Sequence, residues 1–359
     1  RDWSSDVCSS DLCLKLGHVL MNSPRFKVLI IGCGNMAGGY DLHQPVDALP
    51  MGHAKAFSQQ GGFELAACID PNGELRRAYQ NRWQVPLGFD SIHDLGCSPG
   101  HFDLISICSP SSLHAAHLHE ALELKPRLIF CEKPLTLTLQ DTQKAVEACA
   151  KQNVRLVVNH CRRWSPAVIE LKQQLAQGHW GALRSVSAIY NKGLLNNGTH
   201  MLDLLLNLFG PLHITHVGQP VFDHSNDDPS VSICLETQTG VSVQINVAHA
   251  QDFAMFEMQA VTERAVISME DGGASWRIRE PKPSHTFQGY RYLNQGDWMR
   301  SNGSPDLSLA VSNVYEALKN NAPLACTGLE ALQVHTLTEV ILHQALGQSS
   351  LSFIKREAA

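Results

Sequence analysis

The segment that constrains the fold most is a glycine-rich turn at residues 32–37, which follows a short apolar run. Residues 28–31 are all aliphatic, a composition typical of a strand that is buried on both faces. Gly32, Gly34 and Ala37 then follow with G-x-G-x-x-A spacing. Between a strand and a helix, this spacing permits a tight turn and brings the backbone close to a pyrophosphate at the helix N-terminus. The same residues also fit an ordinary turn, so the motif is informative only with its context.

Apolar strands and helices alternate after this motif. Helices are predicted at 53–60, 74–83, 114–124 and 138–151, and strands at 63–69, 103–108, 127–131 and 154–158. This alternation predicts a parallel, doubly wound sheet of the Rossmann type over residues 25–161. Ligands of such sheets bind at the carboxyl ends of the strands. Gly32, Asp70, Ser109 and Lys133 all fall at such ends.

Residues 39–52 contain two prolines and several glycines, which do not fit a regular helix. We interpret them as an inserted loop, which explains why Gly34 and Asp70 are 36 positions apart instead of the usual 20 or so. A carboxylate at Asp70 accepts hydrogen bonds from an adenosine ribose and repels a 2′-phosphate, so NAD is favoured over NADP. Asp70 also fits a simple helix cap, with Pro71 at the first helical position.

The second half of the chain has a different pattern. Helices are predicted at 166–177, 199–209, 307–320 and 328–346, around a strand at 183–190 and several strands between residues 214 and 292. Residues 241–247 alternate strictly between polar and apolar, which indicates a sheet with one buried face. Residues 162–359 are therefore expected to form an α+β domain with a mostly antiparallel, open-faced sheet.

Composition excludes several classes of protein. The net charge of −6 argues against a nucleic-acid partner, and no apolar run reaches the 18 residues of a membrane span. Eleven cysteines without a C-x-x-C pair favour reduced thiols in the cytoplasm. Residues 1–24 are expected to be a tail. Its first dozen residues read as a translated sequencing adapter or as a disordered native tail, with a native start expected at Met21.

Five separated stretches match one family pattern. They are GCGNMAGG (32–39), CSPSSLHAAH (108–117), CEKPL (131–135), NHCRRWSP (159–166) and NGTHMLDLLLNLFG (197–210). From about Lys27 onwards the chain resembles the glucose–fructose oxidoreductase and inositol dehydrogenase family, often called Gfo/Idh/MocA. The resemblance implies NAD or NADP in the N-terminal domain, with substrate and oligomer contacts on the C-terminal sheet. It also implies oxidation or reduction of a sugar, cyclitol, sugar acid or nucleotide-sugar.

The same resemblance assigns roles to individual residues. Lys133 contacts the nicotinamide ribose and the substrate hydroxyl, and the bond to Pro134 is expected to be cis. His200 is the acid/base, although a plain helix N-terminal histidine is the alternative. Asn196 stands where the family commonly has an active-site Asp, so this position supplies no carboxylate. The predicted cofactor contacts are Gly32, Gly34, Asn35, Met36, Asp70, Ser109, Pro110, His114, Glu132 and Lys133.

Substrate contacts are expected from Arg163, Tyr190 and Asp203. An arginine here suits a carboxylate or a phosphate, with an ordinary surface salt bridge as the alternative. His114 and His117 are spaced three apart near His119, but no third ligand type accompanies them, so no metal is predicted.

Two classes of function remain open. The first is an NAD(P)-dependent oxidoreductase acting on CH–OH groups of a small sugar-like substrate. The second is a catalytically impaired dinucleotide- or sugar-binding member of the same fold, for which Asn196 is the hint. A hydride-borrowing, non-redox enzyme with tightly bound NAD is a third option. We expect a homodimer or homotetramer formed through the C-terminal sheet.

Overall fold

The computed structural model of the protein describes residues 25–300 and 307–347. The expected tail of residues 1–24, with Met21, lies outside the described residues. In the described part of the chain, no helix combines the length and the apolar composition that crossing a bilayer requires.

The first sheet is wholly parallel. It consists of β1 (Phe26–Ile31), β2 (Phe63–Ile69), β3 (Leu87–Phe89), β4 (Leu104–Ile107), β5 (Leu128–Cys131) and β6 (Arg155–Val158). The strand order is β3-β2-β1-β4-β5-β6, with parallel pairing throughout. This is the doubly wound Rossmann order, in which the direction of winding reverses between β1 and β4. The predicted fold class is confirmed.

The helices agree closely with the sequence prediction. They are α1 (His53–Gln60), α2 (Gly73–Trp83), α3 (His114–Glu123), α4 (Leu139–Lys151), α5 (Pro166–Ala176), α6 (Thr199–Phe209), α7 (Leu307–Asn320) and α8 (Gly328–Leu346). Pattern analysis missed β3, because this edge strand has only three residues and none of them is buried.

The second sheet is mixed and mostly antiparallel. Its strands are β7 (Leu183–Tyr190), β8 (Leu212–Val221), β9 (Ser230–Thr237), β10 (Ser242–Val247), β11 (Phe256–Thr262), β12 (Val266–Glu270), β13 (Ser275–Arg279) and β16 (Trp298–Arg300), and β14 (Pro281–Pro283) pairs separately with β15 (Arg291–Leu293). The order is β16-β13-β12-β11-β7-β10-β9-β8, in which only the β7–β10 pair is parallel.

The domain boundary expected between residues 161 and 162 needs one addition. Side chains of α7, including Val314 and Leu318, belong to the same hydrophobic core as β1 and β4. The chain therefore returns from the second sheet to cover the Rossmann sheet, and α7 completes the first core although it is distant in sequence.

The predicted insertion interrupts the first Rossmann helix without changing its register. The amides of His53 and Ala54 donate to the carbonyls of Met36 and Ala37 at 3.0 and 2.8 Å. In an uninterrupted helix those carbonyls accept from residues 40 and 41. Residues 40–52 are thus thirteen extra positions looped out of one helix. Without them, Gly34 and Asp70 are 23 positions apart, close to the usual spacing.

The inserted loop is held by its own polar contacts. The Asp41 carboxylate accepts from the Met51 and Gly52 amides at 3.1 and 2.6 Å, and Lys55 Nζ donates to Pro45 O at 2.7 Å. At the neck of the loop, a Cβ on Gly52 would lie 2.8 Å from the Cα of Gly38. The backbone of Gly38 therefore leaves no room for a side chain at Gly52, and the indole ring of Trp83 leaves none at Gly38.

Candidate active site

A pocket of about 610 Å³ lies at the carboxyl ends of β1, β2 and β4. Gly32 has φ +88°, and a Cβ there would lie 2.6 Å from the Ser109 amide nitrogen, so only glycine fits. A Cβ on Gly34 would meet nothing within 4 Å, which leaves open space directly above the backbone. The predicted cofactor residues among its lining are Gly32, Gly34, Asn35, Met36, Asp70, Ser109 and Pro110.

Asp70 is fixed at the rim of this pocket. Its two carboxylate oxygens accept from the amides of Cys33 and Asn72, each at 2.8 Å. Arg76 bonds the Asp70 carbonyl and forms an ion pair with Asp90, which also lines the pocket. Arg76 is therefore already occupied by acceptors of the protein.

Glu132 belongs to a buried network beneath the pocket. Its Oε1 accepts from His53 Nε2 at 2.8 Å and from Asn159 Nδ2 at 2.7 Å, while His53 Nδ1 hydrogen-bonds Ser106 Oγ at 2.8 Å. Burial opposes a charge on His53, but Cys108 and Glu132 raise its pKa to about 10. Burial likewise opposes the Glu132 carboxylate, yet the His53 hydrogen bond keeps the Glu132 pKa below its ordinary value.

This placement corrects the predicted cofactor contact of Glu132. Its carboxylate is directed into the protein, where it holds the backbone that carries Lys133. His114 needs the same correction. It is fully buried, and its ring nitrogens lie 2.9 and 2.8 Å from the carbonyl oxygens of Ser109 and Pro134. Its neighbour His117, which we did not predict as a cofactor residue, lines the pocket and hydrogen-bonds Ser109 Oγ at 2.8 Å.

Lys133 and Asn196 meet between the two domains. Lys133 Nζ donates to the carbonyl oxygen of Asn196 at 2.7 Å and to its Oδ1 at 3.3 Å. The Lys133–Pro134 peptide is cis, as expected. Burial lowers the pKa of Lys133, and the negative charge of Glu132 only partly opposes this shift.

Asp228 supports this meeting point and was missed by sequence analysis. Its carboxylate oxygens accept from the amides of Leu195 and Asn196, both at 2.8 Å, at the start of a π-helical turn over Leu194–Gly198. Asp228 lies 32 positions from Asn196 in a turn-forming stretch, so no local pattern connects the two residues.

His200 lies on the first turn of α6, within the electrostatic reach of Lys133. Its ring is 5.7 Å from the ring of His160, edge to face. Burial lowers the pKa of His200 well below its ordinary value, and the charges of Lys133, Arg162 and His160 act in the same direction. The structure thus brings all three predicted catalytic residues, Lys133, Asn196 and His200, to one place.

The three predicted substrate residues are not brought to this place as ligands. Arg163 Nε donates to Asp203 Oδ1 at 2.8 Å, and this ion pair is almost fully buried. Tyr190 is completely buried, and its hydroxyl is paired with the amide and carbonyl of Val231. These contacts correct our expectation, because side chains already paired in a core are not available to a substrate.

Among the described residues there is no group of three or more histidine, cysteine or acidic side chains arranged to hold a metal ion. The arrangement instead combines a dinucleotide-sized pocket, a lysine ammonium and a neutral imidazole. Such groups suit hydride exchange at a carbon whose oxygen needs a proton donor or acceptor.

Comparisons with known proteins agree with this geometry. The model of GFO_IDH_MocA, an oxidoreductase family with an NAD-binding Rossmann fold, matches residues 26–160. D-apiose dehydrogenase of Paraburkholderia graminis is 25% identical over 244 residues, covering 63% of this chain and 61% of that protein. Inositol 2-dehydrogenase of Rhizobium meliloti is 21% identical over 323 residues, covering 84% and 94%. For three other curated relatives, the match spans 25–37% of their length.

Solved structures extend the likeness to both domains. WlbA dehydrogenase from Bordetella pertussis, in complex with NADH and UDP-GlcNAcA, matches with a TM-score of 0.69 at 19% identity. The match covers 90% of this chain and 97% of that one, which shows a shared fold. Residues 26–160 thus match the Gfo/Idh/MocA oxidoreductase family model, and the second domain shares its fold with solved dehydrogenase structures.

Proposed function

We propose that the protein is an NAD-dependent oxidoreductase that moves a hydride between nicotinamide and a hydroxyl or carbonyl carbon of a sugar-like substrate. The observation that carries this proposal is the meeting of Lys133 with Asn196, beside His200, at the carboxyl edge of the Rossmann sheet. The names of the relatives support the substrate class, because they include a D-apiose dehydrogenase and an inositol 2-dehydrogenase.

The residues of the pocket fit a dinucleotide. The space above Gly34 accommodates a pyrophosphate, and each oxygen of Asp70 has capacity left to accept from a ribose hydroxyl. When bound, the nicotinamide accepts or donates the hydride. Gly32, Gly34 and Asp70 would hold the adenosine diphosphate part, and Lys133 would lie toward the nicotinamide.

Lys133 and His200 have different roles at the substrate oxygen. The ammonium of Lys133 stabilises negative charge that develops on this oxygen. His200 is neutral at pH 7, so its ring accepts the hydroxyl hydrogen bond and then the proton. The cations around His200 disfavour retention of that proton, which promotes its onward transfer.

We propose a preference for NAD over NADP. A 2′-phosphate would meet the carboxylates of Asp70 and Asp90, while Arg76 is already engaged by Asp90. Replacing Asp70→Ser removes one repulsive charge and is expected to increase NADP use, because like charges at such an interface cost several kcal/mol. Dissociation constants of both cofactors, measured by protein fluorescence, test this. Tighter NADP binding by the unmodified protein would contradict the preference.

The main experiment pairs cofactor binding with turnover. NADH binding is followed by fluorescence, and a panel of sugars, cyclitols and sugar acids is screened by NADH absorbance. His200→Ala is expected to reduce kcat about 10²- to 10⁴-fold, whereas His213→Ala, on an exposed position of β8, serves as the matched control. A His200→Ala protein with unchanged kcat would remove this residue from the mechanism.

The second candidate function rests on Asn196, which lacks the carboxylate common at this position in the family. NADH binding with no turnover on any panel member favours a binding protein. Conversion of substrate without net NADH change favours a hydride-borrowing enzyme.

We also propose homo-oligomerisation through the outer face of the second sheet and a reducing, cytoplasmic location. The outer face carries polar residues such as Ser187, Asn246 and Gln259. All nine cysteines in the described residues are free thiols. Light scattering tests the first proposal, since a monomer at micromolar concentration would contradict it, and fractionation of cells tests the second.

A further inference from the structure

Arg162 and Arg163 are consecutive, yet their surroundings differ completely. Both lie in the short 3₁₀ turn after β6, next to the strand end that carries Lys133. Arg163 is buried and neutralised by Asp203. Arg162 is only half-buried and extends toward the second domain, where its Nε donates to Gly272 O at 3.0 Å.

The Arg162 guanidinium lies over an aromatic ring. Its Cζ lies 3.7 Å above the ring of Phe256, so the stacking and the Gly272 bond together fix the plane and direction of the fork. Among the described residues, the two terminal nitrogens donate to no protein group and no carboxylate pairs with this arginine. A rigid, partly desolvated cation whose best donors remain unused is suited to an oxyanion.

The electrostatic surroundings point the same way. Lys133 and Arg162 are close enough to His200 for both charges to lower its pKa. Asn196 contributes no charge, and Asp228 is occupied by backbone amides. The site therefore has two cations and no free carboxylate among the described residues around it.

We infer that Arg162 binds an oxyanion group of the substrate, so that the preferred substrates are sugar derivatives that carry a carboxylate or a phosphate. This inference rests on the proposed function, because it concerns the substrate of that site. The fork can donate to two oxygens in parallel, and its direction toward the second domain places the anionic group away from the oxidised carbon near Lys133.

The test compares matched acidic and neutral sugars on the NADH-loaded protein. D-glucuronate and D-galacturonate probe a carboxylate, glucose 6-phosphate probes a phosphate, and D-glucose and D-galactose are the neutral counterparts. Calorimetry gives their affinities for the wild type, Arg162→Gln, Arg162→Lys and Arg264→Gln. Arg264 is the matched control, because among the described residues it also donates only to backbone carbonyls, and it follows the end of β11 opposite Phe256.

We expect the wild type and Arg264→Gln to bind at least one acidic sugar about 10- to 100-fold more tightly than its neutral counterpart, the range of a charged hydrogen bond. Arg162→Gln should lose that ratio, and Arg162→Lys should keep part of it, because it retains the charge without the fork. The acid with the larger ratio identifies carboxylate or phosphate as the ligand.

An unchanged ratio in Arg162→Gln would overturn the inference. So would a wild type that binds none of the three acids more tightly than its neutral counterpart, and this comparison stands even where Arg162→Gln fails to fold. If the wild type did not bind NADH, the proposed function itself would be refuted. Hydride exchange with neutral sugars alone would refute only the role of Arg162.

Discussion

The cofactor end and the substrate end of the site differ in how many of their polar groups already have partners. Beneath the dinucleotide pocket, His53, Glu132 and Asn159 are bonded to one another in the core. At the substrate end, the fork of Arg162 has donors left over and His200 is held neutral among cations. The polar groups of the cofactor end are thus already paired within the protein, whereas the proposed substrate end keeps donors available for a ligand.

The largest effect expected on the cofactor end is on stability. Glu132→Gln removes the carboxylate that pairs with the buried His53 ring, and breaking a buried pair in this way costs about 3–5 kcal/mol of unfolding free energy. Urea unfolding monitored by circular dichroism measures it. Glu123→Gln is the control, because Glu123 pairs with His119 on an exposed helix surface and such pairs contribute about 0.5 kcal/mol or less. An equal loss of unfolding free energy in both variants would show that the buried pair stabilises the cofactor end no more than an exposed pair does.

The next largest effect is expected at the junction of the two ends. Lys133→Ala removes the donor that stabilises the developing oxyanion, so kcat should fall about 10²- to 10³-fold. Stopped-flow measurement of NADH formation gives kcat, and fluorescence gives the cofactor affinity. Lys172→Ala removes a comparable lysine, which donates to Asn207 on the exposed surface, and should leave kcat unchanged. If Lys133→Ala altered only the NADH affinity, Lys133 would be a cofactor anchor.

A smaller effect is expected on pH dependence. The pKa of His200 is depressed, so its base form persists to low pH and the acidic limb of the oxidation profile lies below the ordinary histidine range. Asn196→Asp adds a negative charge beside Lys133, which raises the pKa values of nearby cations and should move this limb upward by about one pH unit. Profiles of kcat against pH for wild type, Asn196→Asp and the surface control Asn207→Asp test this. A limb that stays in place or moves downward would contradict it.

The smallest effect is expected from removal of the inserted loop. Deleting residues 40–52 joins Gly39 to His53 in helical register, so stability should change by about 1 kcal/mol or less, since loop length contributes weakly. Thermal unfolding and NADH affinity are the measurements. Deleting only residues 41–52 is the control, because one extra residue rotates α1 away from its core contacts. A shorter deletion that is as stable as the full one would show that register does not matter here.

Much of the fold was predictable, because glycine spacing and hydrophobic period report backbone geometry directly. The meeting of Lys133, Asn196 and His200 followed from family motifs. The directions of buried polar side chains could not be predicted from these motifs. Glu132 lies in a cofactor motif but points into the core, since a sequence position at a strand end does not specify which neighbour the side chain finds.

Contacts between residues that are distant in the sequence also could not be predicted. Arg162 and Arg163 are chemically identical neighbours, and only the placement of Asp203 and Phe256, far along the chain, decides which of them keeps free donors. Asp228 was not predicted as a site residue for the same reason. Such choices depend on the tertiary contacts of a turn, about which local sequence carries no information.

The neck at Gly38 and Gly52 has a consequence for protein engineering. The inserted loop starts and ends at two backbone positions that touch each other, so this point of the helix is suited to the insertion of other segments. Cargo whose ends lie as close together as those of residues 40–52, such as an epitope or a small fluorescent domain, is expected to be accommodated there without transmitting strain to the phosphate-binding turn. This insertion point lies about one helical turn from Gly34. The fluorescence of a reporter inserted there is therefore expected to change when the proposed cofactor binds.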